Sequence, residues 1–351
     1  MNVEEGMLRV GNLFVPRGKS SILVLHSMFA LVVGAGLFPA ARAQFVQQGA
    51  KLVGTGAVGR ASQGSSVALS ADGSAVIVGG SGDNPPPAVG GAGGGPAAGA
   101  AWVFVLYAFS SGPFIASGGV VNGANFLPGI APGTWITIQG VNLSTTTRTW
   151  TYSDFSGNNL PMQLDGVSVT VDGKPAYVYF ISPTQLNVLS PDDATQGAVP
   201  VQVTTAGRIS NVVDAIETAL SPALFTFSPQ GGKYAAAVRA DGVYIAPPNL
   251  ISGVVTVPAH PGDIILLFGT GFGPTTPPSP IGQLINPAPL AGQVTVQIGG
   301  VTANTQFAGI VTPGLYQFNV VVPNVPNGDN AVSIPIGGSS SQPNVFLPVQ
   351  Q

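Results

Sequence analysis

The sequence predicts an all-β protein built from two copies of one β-sandwich module. The motif Gln-x-Asn-Val, with prolines on both sides, occurs at residues 185–188 and again at 317–320, an offset of 132 residues. The flanking segments 131–140 and 260–269 also match. Apolar and polar residues alternate over short stretches that are separated by glycine and proline turns. No stretch of eleven residues has apolar residues spaced at the helical period. Matching segments that recur in the same order, at offsets of 132 and 129 residues, indicate a duplicated module, and alternation indicates half-buried strands.

The composition is that of a turn-rich folded chain. Charged residues make up 7% of the 351 residues, against about 25% in an average soluble protein, and there are 49 glycines and 32 prolines. Apolar residues make up 45% and the net charge is −3, which excludes disorder driven by charge repulsion. No basic cluster is present to neutralise phosphates, so the sequence argues against a nucleic-acid partner.

Residues 1–43 have the pattern of a signal peptide, with the true start at either Met1 or Met7. A basic region precedes the apolar segment 22–38, and Ala-Arg-Ala at 41–43 is a cleavage site of the small-x-small type. A retained membrane anchor is the alternative, although the apolar run is short and contains glycine and proline. The prediction is an exported bacterial protein, secreted or at the cell surface, without a membrane span after cleavage. The absence of cysteine excludes disulfides and Cys/His metal sites.

Residues 44–112 predict a small β segment. Residues 67–70 and 75–78 read as two strands joined by a turn at 71–74, and 84–99 is a loop rich in glycine and proline. The segment resembles a single FG-GAP-type repeat, the blade unit of integrin-like β-propellers, although one blade cannot close a propeller. Repeats of that type bind calcium, which makes Asp72 and Asp83 weak calcium candidates; ordinary turn residues are the alternative.

Residues 113–218 predict an immunoglobulin-like module. Several short strands with turn signals every 8 to 12 residues are typical of that sandwich. The loop 144–161 is long and carries Trp150, Tyr152 and Phe155, which either fold over the sheet or point outward as ligand contacts. The predicted strands are 134–139, 167–171, 176–181, 185–189, 199–204 and 211–216.

Residues 219–253 predict a β connector, and residues 254–351 a second immunoglobulin-like module with the same order of strands. The connector is too apolar for a free linker. The strands predicted for the second module are 264–268, 294–298, 305–308, 316–322, 332–336 and 345–349.

At residues 119–349 the chain resembles the Solibacter-type uncharacterised C-terminal domain family. The resemblance rests on motifs that occur in order, among them Ala-Pro-Gly-Thr at 131–134, Gly-Thr-Gly-Phe-Gly-Pro at 269–274 and Gly-Leu-Tyr-Gln-Phe-Asn at 314–319. It implies two IPT/TIG-like immunoglobulin folds and no catalytic residues, because the family has no assigned activity. Where IPT/TIG folds have roles, these are mostly structural or binding.

The polar residues give little support to catalysis. Outside residues 1–43 the chain has one histidine, His260, and no G-x-S-x-G motif, while Asp192 and Asp193 form the only adjacent pair of acids in that part. The sequence predicts no cofactor. The repeated amides Gln185, Asn187, Gln317 and Asn319 share a strand face within each copy, where they form either a polar ledge for glycan or peptide or a structural motif that satisfies loop backbone groups.

The favoured hypothesis is an exported, non-catalytic binding or adhesion module of unknown ligand. Its partner would be a polysaccharide or a cell-surface protein, with Trp150, Tyr152 and Phe155 as first contacts. The alternative is a structural spacer, or a C-terminal sorting or display region of a once larger surface protein. A glycan-active enzyme has the least support.

Overall fold

The computed structural model describes residues 7–10, 13–16, 61–69, 75–83, 99–105, 112–227 and 232–351. Within these ranges the regular elements are strands and one 3-10 turn, Tyr152–Asp154, so the predicted all-β class is confirmed. No described helix is long and apolar enough to cross a membrane. The chain divides into two compact units, one made of residues 37–111 and one that contains residues 112–351.

The N-terminal strands form two small antiparallel sheets. The predicted hairpin around residues 67–78 is confirmed, and a third strand pairs with its second strand. Asp72 and the loop 84–98 lie outside the described residues, as does most of the predicted signal peptide. The likeness to a propeller blade stays a prediction. The strands are β1 (Met7–Val10), β2 (Leu13–Pro16), β3 (Gln63–Leu69), β4 (Ala75–Gly80) and β5 (Ala100–Val105).

The first module is a sandwich of a five-stranded and a six-stranded sheet. Its strands are β6 (Phe114–Asn122), β7 (Trp135–Val141), β8 (Arg148–Thr149), β9 (Gln163–Leu164), β10 (Val167–Val171), β11 (Lys174–Pro175), β12 (Tyr177–Ile181), β13 (Gln185–Leu189), β14 (Gly197–Thr205), β15 (Arg208–Ile209) and β16 (Val213–Glu217). One sheet has the order β6-β7-β13-β12-β8. The other has the order β11-β10-β14-β15, with β9 paired to β10 and β16 paired to β14.

Alternation explains the core of this module. In β10 the side chains of Val167, Val169 and Val171 are buried, whereas the residues between them are half-buried. Strand β14 repeats the pattern with valines at 199, 201 and 203. Successive strand residues point to opposite faces, so each strand presents one apolar row to the other sheet.

The second module contains the predicted connector as part of its sheet. Its strands are β17 (Ala223–Leu224), β18 (Ala237–Arg239), β19 (Tyr244–Ile245), β20 (Thr256–Val257), β21 (Ile264–Thr270), β22 (Ala288–Pro289), β23 (Gln297–Ile298), β24 (Val301–Thr302), β25 (Asn304–Thr312), β26 (Leu315–Val321), β27 (Gly328–Ser333), β28 (Pro335–Ile336), β29 (Ser339–Ser340) and β30 (Phe346–Val349). The large sheet has the order β20-β19-β18-β21-β26-β25-β22, with β17 on β21. A second sheet has the order β24-β23-β27-β30, and β28 pairs with β29.

Strand pairing repeats between the modules as the sequence repeat predicts. The two Gln-x-Asn-Val motifs lie in β13 and β26, each in the middle of a sheet. Strand β13 lies between β7 and β12, and β26 lies between β21 and β25. In the opposite sheets, β10 pairs with β14 as β23 pairs with β27. The duplicated sequence therefore folds into duplicated topology.

The two modules share buried contacts. Trp135 of β7 is fully buried; its indole N–H donates to the Pro313 carbonyl at 3.0 Å, and the Thr270 hydroxyl accepts a bond from its backbone N–H, also at 3.0 Å. Leu315 of the second module belongs to the same apolar cluster as the core of the first. Gly314 has a φ of +70°, and a Cβ there would lie 2.4 Å from a methyl carbon of Leu189. Close approach of the modules at this point therefore requires glycine.

Candidate functional site: a cleft between the two modules

A cleft of about 710 Å³ lies where the two modules meet. The first module contributes the loop between β13 and β14, and the second contributes the segment between β21 and β22 and the turn before β26. Both sides carry flat apolar groups, Pro132 and Leu189 on one and Pro278, Ile281 and Tyr316 on the other. Hydroxyl and amide side chains lie among them: Thr195, Gln196, Thr218, Thr275 and Ser279.

The acidic part of the cleft comes from the first module. Asp192 and Asp193 follow β13 after Pro191, and both line the cleft. The Lys174 ammonium lies 3.0 Å from Asp193 Oδ1 and donates to the backbone carbonyl of Asp192 at 3.1 Å. A backbone bond from Thr195, followed by the contact with Lys174, lowers the pKa of Asp193 to about 2. Asp193 is therefore ionised at neutral pH, with its charge partly offset by Lys174.

Glu217 is a buried carboxyl next to this wall. It ends β16, its side chain has 0% exposure, and neither of its oxygens has a hydrogen-bond partner. Burial raises the pKa of Glu217 to about 7; repulsion from Asp193 and Asp172 adds to the rise, and Lys174 opposes it. The residue after it, Thr218, lines the cleft. Glu217 therefore changes its protonation near neutral pH within a few residues of the cleft.

Buried oxygens without a partner concentrate at this junction. In the described part of the chain there are six such side-chain oxygens, and all belong to residues that line the cleft or are next in sequence to one that does. Buried polar groups are normally hydrogen-bonded, and an exception needs an explanation such as an ion or a bound molecule. The six oxygens are Thr134 Oγ1, Ser190 Oγ, Asp193 Oδ2, Glu217 Oε1, Glu217 Oε2 and Thr312 Oγ1.

The wall from the second module is held by its own bonds. Tyr316 donates its hydroxyl to the Gly273 carbonyl, and its ring packs on Phe272 at a centroid distance of 5.7 Å. The Thr275 hydroxyl donates to the Pro277 carbonyl at 2.8 Å and accepts from the backbone N–H of Ser279 at 3.0 Å. These bonds fix the proline-rich segment, so the wall is formed before any ligand arrives.

The predicted aromatic contacts lie elsewhere, and one of them is corrected. Trp150 has 1% exposure and packs edge-to-face on Trp135, Tyr179 and Phe155, with ring centroids 4.9 to 5.9 Å apart. It is a core residue, because the loop 144–161 folds over the sheet rather than away from it. Phe155 is half-buried against it, and only Tyr152, at 51% exposure, faces solvent.

An ion-pair network fixes this aromatic loop. Arg148 contacts Asp154 at 2.9 Å and Asp165 at 2.7 Å. The guanidinium is the largest cause that lowers the pKa of Asp154 to about 2. Half-buried bidentate contacts of this kind order a loop more than solvent-exposed pairs do. The long loop is thus part of the folded module.

The four repeated amides bond to one another rather than to loop backbone. Gln185 donates to Asn187 Oδ1 at 2.9 Å, and Gln317 donates to Asn319 Oδ1 at 2.7 Å. In the first copy the Thr137 hydroxyl also donates to Asn187 Oδ1, at 3.0 Å. Asn187, Gln317 and Asn319 are each 2% exposed. None of the four lines the cleft, and the repeated pair contributes to the buried interior of each module.

Replacing Asn187 with alanine is expected to lower the free energy of unfolding by about 1–3 kcal/mol, because Gln185 and Thr137 lose their shared acceptor in a buried site. Urea unfolding followed by fluorescence measures the change. The matched control Gln185→Ala removes a half-buried donor and should cost less. Equal losses for the two variants would contradict the assignment of Asn187 as the central acceptor.

The described residues give no metal-binding group. None of their His, Cys, Asp and Glu side chains form a set of three or more that could hold an ion. Asp83 is buried at 7% exposure, and Asp72, its predicted companion, lies outside the described residues. His260 is exposed, and its ring nitrogen lies 3.7 Å from Asp263 in the turn before β21. The calcium site therefore stays a prediction.

Residues 126–227 match the family model of the IPT/TIG domain. The first module is thus an immunoglobulin-like domain of the TIG class. The match covers less than half of the chain, and the Solibacter-type family and the FG-GAP repeat remain predictions. No curated protein matches the chain.

Solved structures give remote likenesses. SGBP-B of the Bacteroides ovatus mixed-linkage glucan utilization locus, in complex with a heptasaccharide, is 10% identical, with 79% of this chain and 53% of that chain covered and a TM-score of 0.33. The surface glycan-binding protein PbSGBP-B from Prevotella bryantii is 10% identical, with 66% and 41% covered and a TM-score of 0.20. Domains 5–6 of the S-layer protein SbsC are 13% identical, with 68% and 98% covered and a TM-score of 0.23. The chain thus spans about half or less of the two glycan-binding proteins, and TM-scores this low do not define a ligand.

Sequence reasoning missed the cleft and Glu217. A signal for Glu217 was present, because the alternation in β16 places it on the same face as the buried Ala215. In the sequence, Asp192 and Asp193 were distinguished only as a pair of adjacent acidic residues. The cleft itself combines residues around 192 with residues around 278, and no local pattern brings such distant segments together.

Proposed function

We propose that this protein is an exported, non-catalytic binding protein that holds a short segment of a polysaccharide in the intermodular cleft. The observation that carries the proposal is the open cleft itself, in which exposed apolar groups and exposed hydrogen-bonding groups lie side by side. A ligand rich in hydroxyl groups would bond to the exposed side chains of Asp192, Thr195 and Gln196. Export is supported by the pattern of residues 1–43.

The lining of the cleft suits a sugar chain. A pyranose ring has polar edges and apolar faces, so its site needs flat apolar surfaces together with hydrogen-bonding groups. The exposed rings of Pro278 and Pro280 supply the first kind of surface, and Thr195 and Gln196 supply the second. Ligand sites generally combine apolar walls with a few placed polar groups.

The placement of the acids supports binding rather than hydrolysis. A glycosidase of the usual kind places one carboxyl group on each side of the scissile bond. Here Asp192 and Asp193 lie on one wall, and the residues that line the cleft from the second module include no acid. Within the described residues, the cleft lacks the second carboxyl on the facing wall.

A structural spacer is the second candidate function. The observation that favours it is the buried contact between the modules, where Trp135 bonds to Thr270 and Pro313. A junction of this kind would hold two sandwiches at a fixed angle. A spacer needs the junction but not the open cleft, so blocking the cleft separates the two hypotheses.

Replacing Ala194 with tryptophan is expected to abolish binding, because Ala194 is exposed and lines the cleft, where an indole would fill the space. The full-length chain is screened on a polysaccharide array, and the selected ligand is then titrated by calorimetry. Thr302→Trp is the control, since Thr302 is exposed on β24 and does not line the cleft. Unchanged affinity in Ala194→Trp, or no saturable binding by the folded wild type, would contradict the proposal.

A further inference from the structure

The wall that the first module gives to the cleft is strongly acidic. Asp193 and Asp172 repel the Glu217 carboxylate, and Lys174 pairs with Asp193. Asp192 acts on the nearby Tyr177. Asp192 and Asp193 line the cleft, whereas Asp172 and Glu217 are not among its lining residues, and Glu217 adds a negative charge only above its pKa of about 7. No Lys, Arg or His occurs among the residues that line the cleft. The cleft therefore carries a negative potential, concentrated by the apolar walls.

Asp192 is the carboxylate on this wall that is open to a ligand, and Asp193 lies next to it in sequence as a buried charge. Asp192 is exposed in the lining, and its carboxylate makes no hydrogen bond or ion pair with the described residues. Asp193 also lines the cleft, with 7% exposure, and its Oδ2 is buried without a partner while its Oδ1 holds Lys174. Asp193 Oδ2 is closed to solvent, so Asp193 contributes its charge to the wall and leaves direct contact with the ligand to Asp192.

Lys174 shows that this wall already accommodates an ammonium. Its Nζ lies 3.0 Å from Asp193 Oδ1 and 3.1 Å from the carbonyl oxygen of Asp192. An ammonium has three donors and no acceptor, which suits a wall made of oxygens. A second ammonium, brought by the ligand, would pair with the exposed Asp192 carboxylate, which is next in sequence to the ionised Asp193.

We propose that the ligand of the cleft is an amino-sugar polysaccharide, with a protonated amino group bound by Asp192 and favoured by the negative charge of Asp193. The inference rests on the proposed function and adds the charge of the ligand to it. A metal ion is disfavoured, because no set of three or more metal-ligating side chains occurs in the described residues. A peptide rich in lysine has the same charge but lacks the ring faces that the exposed Pro278 and Pro280 would cover.

The experiment compares two oligosaccharides that differ only in the amine. Oligomers of glucosamine and of N-acetylglucosamine are titrated into the full-length chain at about pH 5.5, where the free amine is protonated. We expect the amine form to bind about tenfold more tightly or better, and added salt to reduce the difference. Asp192→Asn should remove most of the preference, while Asp214→Asn should keep it, since Asp214 is exposed on β16 outside the lining.

The outcomes separate this inference from the function beneath it. Equal binding of the two oligomers, or an unchanged preference in Asp192→Asn, would overturn the amino-sugar assignment and leave polysaccharide binding in place. Binding of neither oligomer nor any other glycan on the array would overturn both. A lysine peptide of equal charge that binds as tightly as the amine oligomer would also overturn the sugar assignment, and calcium that displaces the oligomer would point to a metal instead.

Discussion

Replacing Trp135 with alanine is expected to lower the free energy of unfolding by about 3–5 kcal/mol, the range for removal of a large buried aromatic side chain. Trp135 is fully buried and packs on Trp150 and Tyr179 at 5.9 and 5.6 Å between centroids. Its indole N–H also satisfies the Pro313 carbonyl of the second module. One substitution therefore opens a cavity in the first module and breaks a bond to the second. Chemical denaturation of the purified chain measures the loss.

Two further variants separate the cavity from the bond. Trp135→Phe keeps much of the ring packing but loses the N–H, so its cost should be smaller than that of the alanine variant and should include about 1 kcal/mol for the bond. Tyr152→Ala is the control, because Tyr152 is 51% exposed in the loop 144–161. It should change the free energy of unfolding by less than about 0.5 kcal/mol. A loss under about 1 kcal/mol for Trp135→Ala would show that the two modules do not pack as described.

Glu217 is expected to make the protein less stable as the pH rises from 4.5 to 7. Its ordinary pKa is 4.5 and its folded pKa is about 7, because burial and the repulsion from Asp193 and Asp172 disfavour the charged form. Below 4.5 the group is protonated in both states, so it causes no loss. Between the two values only the unfolded state ionises, and the loss grows to about 3 kcal/mol at pH 7 and then stays constant.

Glu217→Gln is expected to remove that loss, because glutamine is close in size and neutral at all pH values. The variant should match the wild type near pH 4.5 and exceed its stability by up to about 3 kcal/mol at pH 8. Asp214→Asn is the matched control, since Asp214 lies exposed on the same strand. Parallel curves of stability against pH for wild type and Glu217→Gln would show that Glu217 is not buried without a partner.

Local patterns were enough to predict the fold. The alternating valines of β10 and β14 and the repeated motif in β13 and β26 depend only on which face of a strand is buried. Each is a property of a short segment, so the sequence carries it directly. The same logic anticipated that the connector is too apolar to be free, and its strands β17 and β18 pair with β21.

The candidate site was harder to predict because it depends on distant segments. The exposure of Trp150 is decided by how residues 144–161 cross the sheet, which the Arg148 ion pairs fix and no periodicity reveals. For the amides in β13 the sequence left open a ligand ledge or bonds to loop backbone, whereas Asn187 accepts from Gln185 beside it and from Thr137 across the sheet. The local sequence identifies the polar groups, whereas tertiary packing determines their hydrogen-bond partners.

The most direct test of the cleft is hydrogen–deuterium exchange of the full-length chain with and without a saturating oligosaccharide selected from the array. Ligand in the cleft predicts slower exchange in both modules, at residues 192–196 and at residues 275–281. The loop around Tyr152, outside the cleft lining, should exchange at the same rate in both samples. Protection confined to that loop, or to one module alone, would contradict the assignment of the intermodular cleft as the binding site.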